Sequence, residues 1–221
     1  MIEKNTVSAQ SQVQKNKYYE YFYNGGKHNV LFLGNSITRH GPKADIGWEN
    51  DWGMAASKRE NDYVHVAVRL MEKKFGKVNY CIANCGEWEL NYFKEGVLDA
   101  WEGIKDFHAD IVVIRLGENI WNAVDKFEEY PLAPYFAKMV EYFASNPKAK
   151  VIVTGLFWEG EKIESAIREA VKEKGHTFVP LSDLGANKEN MAIGQFWHEG
   201  VALHPNDMGM QRIAERIVAV L

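Results

Sequence analysis

The sequence contains little that would direct it to nucleic acid, to a membrane or to a disulfide scaffold. Its 221 residues include only 2 cysteines, Cys81 and Cys85, which lie in one segment and lack further partners for a zinc site. The 26 basic residues are outnumbered by 30 acidic ones, giving a net charge of -4 and no basic surface suited to nucleic acid. No apolar run approaches the roughly 18 residues that a membrane span needs, and no glycine-rich phosphate loop is present. We therefore expect a cytoplasmic protein with reduced thiols, no metal or cofactor, and no nucleic-acid or membrane partner.

The chain is long enough for one domain with a full core. Residues 1–28 are polar with scattered lysines and lack the apolar segment of a signal peptide, so we predict an N-terminal arm over 1–28 and a single domain over 29–221. The arm ends in an aromatic cluster made of Tyr18, Tyr19, Tyr21, Phe22 and Tyr23. We expect this cluster to pack on the domain's own core, with a second subunit as the alternative, which leaves a homo-oligomer open.

Apolar runs alternate with helical periodicity along the rest of the chain. Five short apolar runs predict strands at 29–34, 78–82, 110–116, 150–155 and 177–181. Apolar residues at helical spacing predict helices at 64–75, 93–104, 136–143, 163–171 and 210–221. This alternation predicts a three-layer α/β/α sandwich around a five-stranded parallel sheet. With right-handed crossovers, the simplest strand order is 2-1-3-4-5, with its switch point between the first and third strands.

Four residues with complementary chemistry follow strand ends or precede the last helix. Ser36 follows the first strand, Gly86 the second and Asn119 the third, while His204 stands just before the final helix. The carboxyl ends of parallel strands share one edge of the sheet, so we expect these residues to meet there. A serine hydroxyl becomes nucleophilic when an imidazole takes its proton. The anionic intermediate needs fixed donors, which the Asn119 side chain and the backbone N–H groups of Ser36 and Gly86 can provide.

These four blocks resemble those of the SGNH (GDSL-like) hydrolase family. The matching segments are Gly-Asn-Ser-Ile-Thr at 34–38, Gly86, Gly-Glu-Asn at 117–119 and His-Pro-Asn-Asp-x-Gly at 204–209, in the family's order. The family's flavodoxin-like sheet agrees with the strand order predicted above. The resemblance implies a metal-free serine esterase in which Ser36 is the nucleophile and His204 the base.

The sequence departs from the family at the position of the triad's acid. The family usually places an aspartate three residues before the histidine, where this chain has Val201. A backbone carbonyl could orient the imidazole instead, as in dyad-type members of the family, and we favour this slightly over Glu199. Inward-turned Glu118 or Asp207 is a further alternative, although Asp207 is better suited to capping the final helix. Arg115 interrupts an apolar strand, and we expect it to pair with a carboxylate at the sheet end.

Six of the seven tryptophans follow strands or precede His204, and flat aromatic rings at a site rim suit sugars. We predict that these six bind substrate, with the alternative that some of them only anchor loops: Trp48, Trp52, Trp88, Trp121, Trp158 and Trp197. The long segment 39–60 is a candidate lid or substrate loop. Carboxylates that could bind sugar hydroxyls are Glu87, Glu89, Glu118, Glu159, Glu161 and Glu199. The favoured substrate is an O-acetylated carbohydrate; the alternatives are a lysophospholipase or thioesterase on the same site, or a glycan-binding module with impaired catalysis.

Overall fold

A computed structural model describes residues 17–172 and 174–221. The predicted arm, 1–28, therefore lies partly outside the described residues. Six strands form one sheet: β1 Tyr19–Phe22, β2 His28–Gly34, β3 Val78–Asn84, β4 Ile111–Arg115, β5 Lys150–Thr154 and β6 Thr177–Val179. Their spatial order is β1-β3-β2-β4-β5-β6.

The predicted five-stranded parallel sheet is correct for β2 to β6 and wrong for the whole sheet. The five parallel strands follow the predicted order 2-1-3-4-5, with β2 paired to both β3 and β4. The sixth strand, β1, runs antiparallel to β3 and makes the sheet mixed. β1 is only four residues long and lies on the sheet edge, where Phe22 stacks on Tyr80 at 4.4 Å between ring centroids. The sequence marked this segment as an aromatic cluster, but four partly buried residues carry too little periodicity to predict a strand.

Seven α-helices occur in the described chain. They are α1 Tyr63–Phe75, α2 Gly86–Asn91, α3 Leu132–Phe143, α4 Glu161–Lys172, α5 Ser182–Ala186, α6 Glu199–Ala202 and α7 Asp207–Ala219. Short 3₁₀ helices cover Ala44–Ile46, Arg59–Asn61, Asp99–Phe107, Ile120–Lys126 and Lys188–Asn190. Helices α1 and α7 pack with Val30 and Phe32 on one face of the sheet, and α3 and α4 pack with Leu31 and Leu33 on the other. Alternate residues of β2 thus face two separate cores, as a strand buried on both sides requires.

The single helix predicted over 93–104 is wrong. Helix α2 ends at Asn91, and Gly96 adopts a left-handed φ of 69° before the 3₁₀ helix Asp99–Phe107 begins. The buried residues of that helix are Trp101, Ile104 and Phe107. Their spacing of three residues matches the 3.0-residue turn of a 3₁₀ helix, so they still form one buried face.

The segment 39–60 is folded against the domain instead of forming a structureless loop. Isolated bridges join His40 to Trp52 and Lys43 to Trp48, and Nε1 of Trp48 donates to the carbonyl oxygen of His40 at 2.9 Å. Trp48 is buried with Met54 and Val201 in a small third apolar cluster. In the described part of the chain, no helix combines the length and the apolar character needed to cross a membrane.

Candidate active site

Ser36 lies in a tight buried turn at the carboxyl end of β2. The carbonyl oxygen of Asn35 accepts hydrogen bonds from the backbone N–H groups of Thr38 and Arg39, both at 3.0 Å. A Cβ on Gly34 would lie 1.7 Å from Oγ1 of Thr38 and 2.9 Å from the carbonyl oxygen of Arg115. Glycine at position 34 therefore lets the chain turn directly after the strand, and the turn presents Ser36 at the sheet edge.

His204 lies against Ser36, as the sequence predicts for a nucleophile and its base. Nε2 of His204 is 2.8 Å from Oγ of Ser36. On the other side of the ring, Nδ1 is 2.6 Å from the carbonyl oxygen of Gly200. A carbonyl only accepts hydrogen bonds, so the Nδ1 atom carries the proton and Nε2 presents its lone pair to the serine hydroxyl. Residues 168 positions apart thus form a dyad with the required tautomer.

The position behind the imidazole is filled by the Gly200 carbonyl and by none of the candidate carboxylates. Glu199 is exposed, in the first turn of the short helix α6. Glu118 bonds to Arg115, and Asp207 accepts from Ser57 and Asn61 on the surface. The expectation that Asp207 caps the final helix is also wrong, because Asn206 is the N-cap and accepts from the Gly209 N–H. The prediction of Glu199 as the triad acid therefore fails, and the alternative of a backbone carbonyl describes this geometry.

The imidazole is almost completely buried. His204 is 9% exposed, and its ring packs nearly perpendicular to that of Trp158, with ring centroids 5.1 Å apart. Burial lowers the pKa of His204 to about 4, and the hydrogen bond to Gly200 only partly opposes this effect. The histidine is therefore neutral at neutral pH, which is the form that can accept the serine proton.

The three predicted oxyanion donors are close to the dyad, but they differ in whether each N–H already bonds to an acceptor within the protein. Asn119 and Gly86 line the same cavity as Ser36, and a Cβ on Gly86 would lie 4.0 Å from Nδ2 of Asn119. The Ser36 N–H has no acceptor within the described part of the chain. In contrast, the Gly86 N–H donates to Oδ1 of Asn84 at 2.8 Å. An oxyanion would therefore have to share the Gly86 N–H with Oδ1 of Asn84 or displace that side chain. The sequence did not reveal this contact.

A buried polar network lies beneath the predicted oxyanion donors. Arg115 is fully buried and donates to Glu118 at 2.7 Å and to Oδ1 of Asn35 at 3.0 Å. Nδ2 of Asn35 donates in turn to both Glu118, at 2.7 Å, and Glu89, at 3.1 Å. Glu89 also accepts from Asn119, so the network runs from the turn that carries Ser36 to the predicted oxyanion donor Asn119. The expected partner for Arg115 is thus present, and Glu89 and Glu118 are internal groups instead of ligands for sugar hydroxyls.

The dyad opens into a broad cavity of about 820 Å³. Its lining combines polar side chains with a larger apolar share, and the polar residues include His40, Lys43, Asn84, Asn122 and His198. Segment 39–60 contributes the stretch from His40 to Lys43, together with Ile46 and Met54, to the wall of this cavity.

The six predicted substrate-binding tryptophans separate into core and surface residues, and none lines this cavity in the described chain. Trp48 and Trp88 are fully buried, which corrects their assignment as substrate-binding residues. Trp52 donates to the Ala56 carbonyl at 2.9 Å and Trp158 to the Leu203 carbonyl at 3.2 Å, so both fix loops. Trp121 and Trp197 are 66% and 75% exposed. Their neighbours along the chain, Asn122 and His198, line the cavity.

No protein-family model matches this sequence, and no curated protein does so either. Solved structures share its fold. A protein assigned as a GDSL-like lipase from Bacteroides uniformis ATCC 8492 is 16% identical, with a TM-score of 0.59 over 90% of this chain and 97% of the other. A protein from Bacteroides ovatus ATCC 8483, likewise assigned as a GDSL-like lipase, is 14% identical, with a TM-score of 0.57 over 87% of this chain and 97% of the other. A family two carbohydrate esterase from Clostridium thermocellum, solved with cellohexaose, is 17% identical with a TM-score of 0.56, over 88% of this chain and 63% of the other. At these identities the likeness establishes the fold alone, which the chain shares with these proteins assigned as GDSL-like lipases and with this carbohydrate esterase.

Proposed function

We propose that this chain is a serine ester hydrolase that uses a Ser36–His204 dyad. The observation that carries the proposal is the arrangement of Ser36 Oγ, His204 Nε2 and the Gly200 carbonyl oxygen, joined by contacts of 2.8 and 2.6 Å. The fold shared with GDSL-like lipases and a carbohydrate esterase supports the same reaction class. A serine beside a neutral, correctly protonated imidazole is the arrangement that acyl transfer requires.

The proposed reaction has two acyl-transfer steps. Oγ of Ser36 attacks the ester carbonyl carbon while its proton passes to Nε2 of His204. The Ser36 N–H and the Asn119 side chain stabilise the resulting oxyanion, with the Gly86 N–H once Asn84 yields. The intermediate collapses when His204 returns the proton to the leaving alcohol oxygen, which leaves an acyl-serine. Water then attacks the acyl-serine with His204 again as base, which releases the carboxylic acid and regenerates free Ser36.

The favoured substrate is an O-acetylated carbohydrate. Support comes from polar side chains in the cavity lining, such as Asn84, Asn122 and His198, which can hydrogen-bond the hydroxyl groups of a sugar. The exposed rings of Trp121 and Trp197, next to cavity-lining residues in the chain, offer faces for sugar stacking. The other four tryptophans no longer contribute to this proposal.

Active-site labelling and acyl-length preference test the proposal. We expect a fluorophosphonate probe to label wild type at Ser36, and Ser36→Ala to lose both labelling and hydrolysis of p-nitrophenyl acetate. Acetate release from acetylated oligosaccharides should exceed release of long-chain fatty acid. Faster release from lysophospholipid or long-chain thioester would support the lipase or thioesterase alternative. Binding of a glycan without labelling would support a non-catalytic module and contradict the proposal.

A further inference from the structure

Glu89 holds the loop that carries the oxyanion donor Asn119. It is fully buried in α2, and its Oε1 accepts from the Gly117 N–H at 2.6 Å, from Asn35 Nδ2 at 3.1 Å and from the Asn119 N–H at 3.4 Å. Its second oxygen, Oε2, accepts from Nδ2 of Asn119 at 2.5 Å. All four contacts therefore come from N–H donors.

The charge of this carboxylate determines which way the Asn119 amide faces. An ionised carboxylate only accepts hydrogen bonds, so Asn119 must turn its NH₂ group, and not its carbonyl oxygen, toward Oε2. One N–H of that group then bonds to Glu89, and the second is left for the cavity that Asn119 lines beside Gly86.

A neutral group at position 89 would reverse this orientation. In Glu89→Gln, the side-chain oxygen has to face the three donors now on Oε1, so the new NH₂ faces Asn119. Two NH₂ groups cannot bond to each other, and the Asn119 amide must rotate to accept. Its carbonyl oxygen would then replace the N–H that faces the oxyanion. A proton on Glu89 has the same effect, because it must sit on Oε2, the oxygen with one donor.

We propose that Glu89 is a positioning residue that, as a carboxylate, keeps the Asn119 amide oriented as an oxyanion donor and releases it when protonated. This inference rests on the proposed esterase function.

Charged and titratable groups around Glu89 determine the pH at which its carboxylate is protonated. Burial and the charge of Glu118 raise the pKa of Glu89 to about 7, although its N–H donors oppose the shift. Arg115, on β4, is bonded to Glu118. The buried Cys85 thiol precedes α2, and Glu87, on α2, pairs at the surface with Lys17. The group therefore titrates near neutral pH, so kcat should fall as pH drops through about 7, well above the limit near 4 for His204 itself.

Kinetics of p-nitrophenyl acetate hydrolysis test the inference. Removal of one oxyanion donor lowers kcat by about 10²–10³-fold in other enzymes, and we expect Glu89→Gln to lose about 10²-fold or more. Glu95→Gln makes the same charge change at an exposed site and should leave kcat unchanged. In the Asn119→Ala background, Glu89→Gln should cause no further loss, because Glu89 acts through Asn119. An equal loss in both backgrounds, or an unchanged kcat, would overturn the inference.

The pH profile gives a second test that does not depend on the folding of Glu89→Gln. Wild type should show an acid limb near pH 7, and Asn119→Ala should lack it. A limb that persists in Asn119→Ala contradicts the inference.

The Asn119 side-chain NH₂ resonance provides a readout that does not need turnover. Assigned by its loss in Asn119→Ala, it should titrate with Glu89 in wild type. If it titrates in a protein without esterase activity, the proposed function fails and the positioning role stands. If turnover occurs and the resonance does not titrate, the positioning role fails alone.

Discussion

At the residue scale, a backbone carbonyl lies where the acid of a catalytic triad would stand in the proposed site. The Gly200 carbonyl fixes the tautomer and orientation of His204 as a carboxylate would, but it adds no full negative charge to stabilise the imidazolium. The residue in the usual position of the acid, Val201, is 1% exposed and packs with Trp48 and Met54. The Val201 side chain therefore packs in the core, while the backbone carbonyl of the preceding residue, Gly200, bonds to the imidazole.

Restoring the missing acid should damage the protein without improving catalysis. Val201→Asp would place a carboxylate in an apolar cluster without a partner, and we expect a loss of about 3–5 kcal/mol in the free energy of unfolding. We expect no gain in kcat, because the Gly200 carbonyl already holds Nδ1. Urea denaturation and p-nitrophenyl acetate hydrolysis would measure both effects.

Glu199→Gln tests the other candidate for the missing acid. Since the Glu199 side chain is exposed, kcat should stay within about twofold of wild type and stability within about 0.5 kcal/mol. A large drop in kcat would mean that Glu199 assists His204 after all, and an active, stable Val201→Asp would contradict the packing argument.

At the element scale, the junction between β2 and the nucleophile turn depends on one glycine. The apolar run at 30–33 predicts the strand, and the polar residues after it predict the turn. The turn packs so closely against the strand that Oγ1 of Thr38 and the carbonyl oxygen of Arg115 occupy the space next to Gly34. Similarly, the break between α2 and the 3₁₀ helix at Asp99–Phe107 follows from the left-handed Gly96.

Gly34→Ala should therefore disrupt both stability and the site. Its Cβ would lie 1.7 Å from Oγ1 of Thr38, so the turn must shift, and we expect a loss of about 3 kcal/mol or more together with slower labelling of Ser36. Gly41→Ala is the matched control, because a Cβ there meets no atom within 4 Å. Thermal denaturation should separate the two variants clearly. Equal melting temperatures would show that the turn tolerates the shift.

At the scale of the whole molecule, two buried groups of the site make opposite contributions to the pH dependence of stability. Folding lowers the pKa of His204 from 6.5 to about 4, so the unfolded state binds more protons between these values and stability is lost as pH falls. Folding raises the pKa of Glu89 from 4.5 to about 7, so the folded state binds more protons and stability is lost as pH rises. Each effect amounts to about 3 kcal/mol, and between about pH 4.5 and 6.5 they nearly cancel.

Single variants should expose the two contributions. The difference in unfolding free energy between wild type and His204→Gln should grow in favour of wild type as pH rises from 4 to 7, and the difference for Glu89→Gln should change in the opposite sense. Urea denaturation at several pH values measures both. Differences that do not vary with pH would mean that neither pKa is shifted by folding.

The sequence by itself determined the five parallel strands, their order and the four blocks that hold Ser36, Gly86, Asn119 and His204. These follow from periodicity and from residue types at strand ends, which are local properties of the chain. Only the tertiary structure decided that Gly200 supports His204, that Asn84 occupies the Gly86 N–H, and that four of six tryptophans serve the core or fix loops. It also brought Glu89, an acidic residue in a short helix, under Asn119, 30 positions away. The physical reason is that burial and hydrogen-bond partners depend on which distant segments meet, and a local pattern does not specify this.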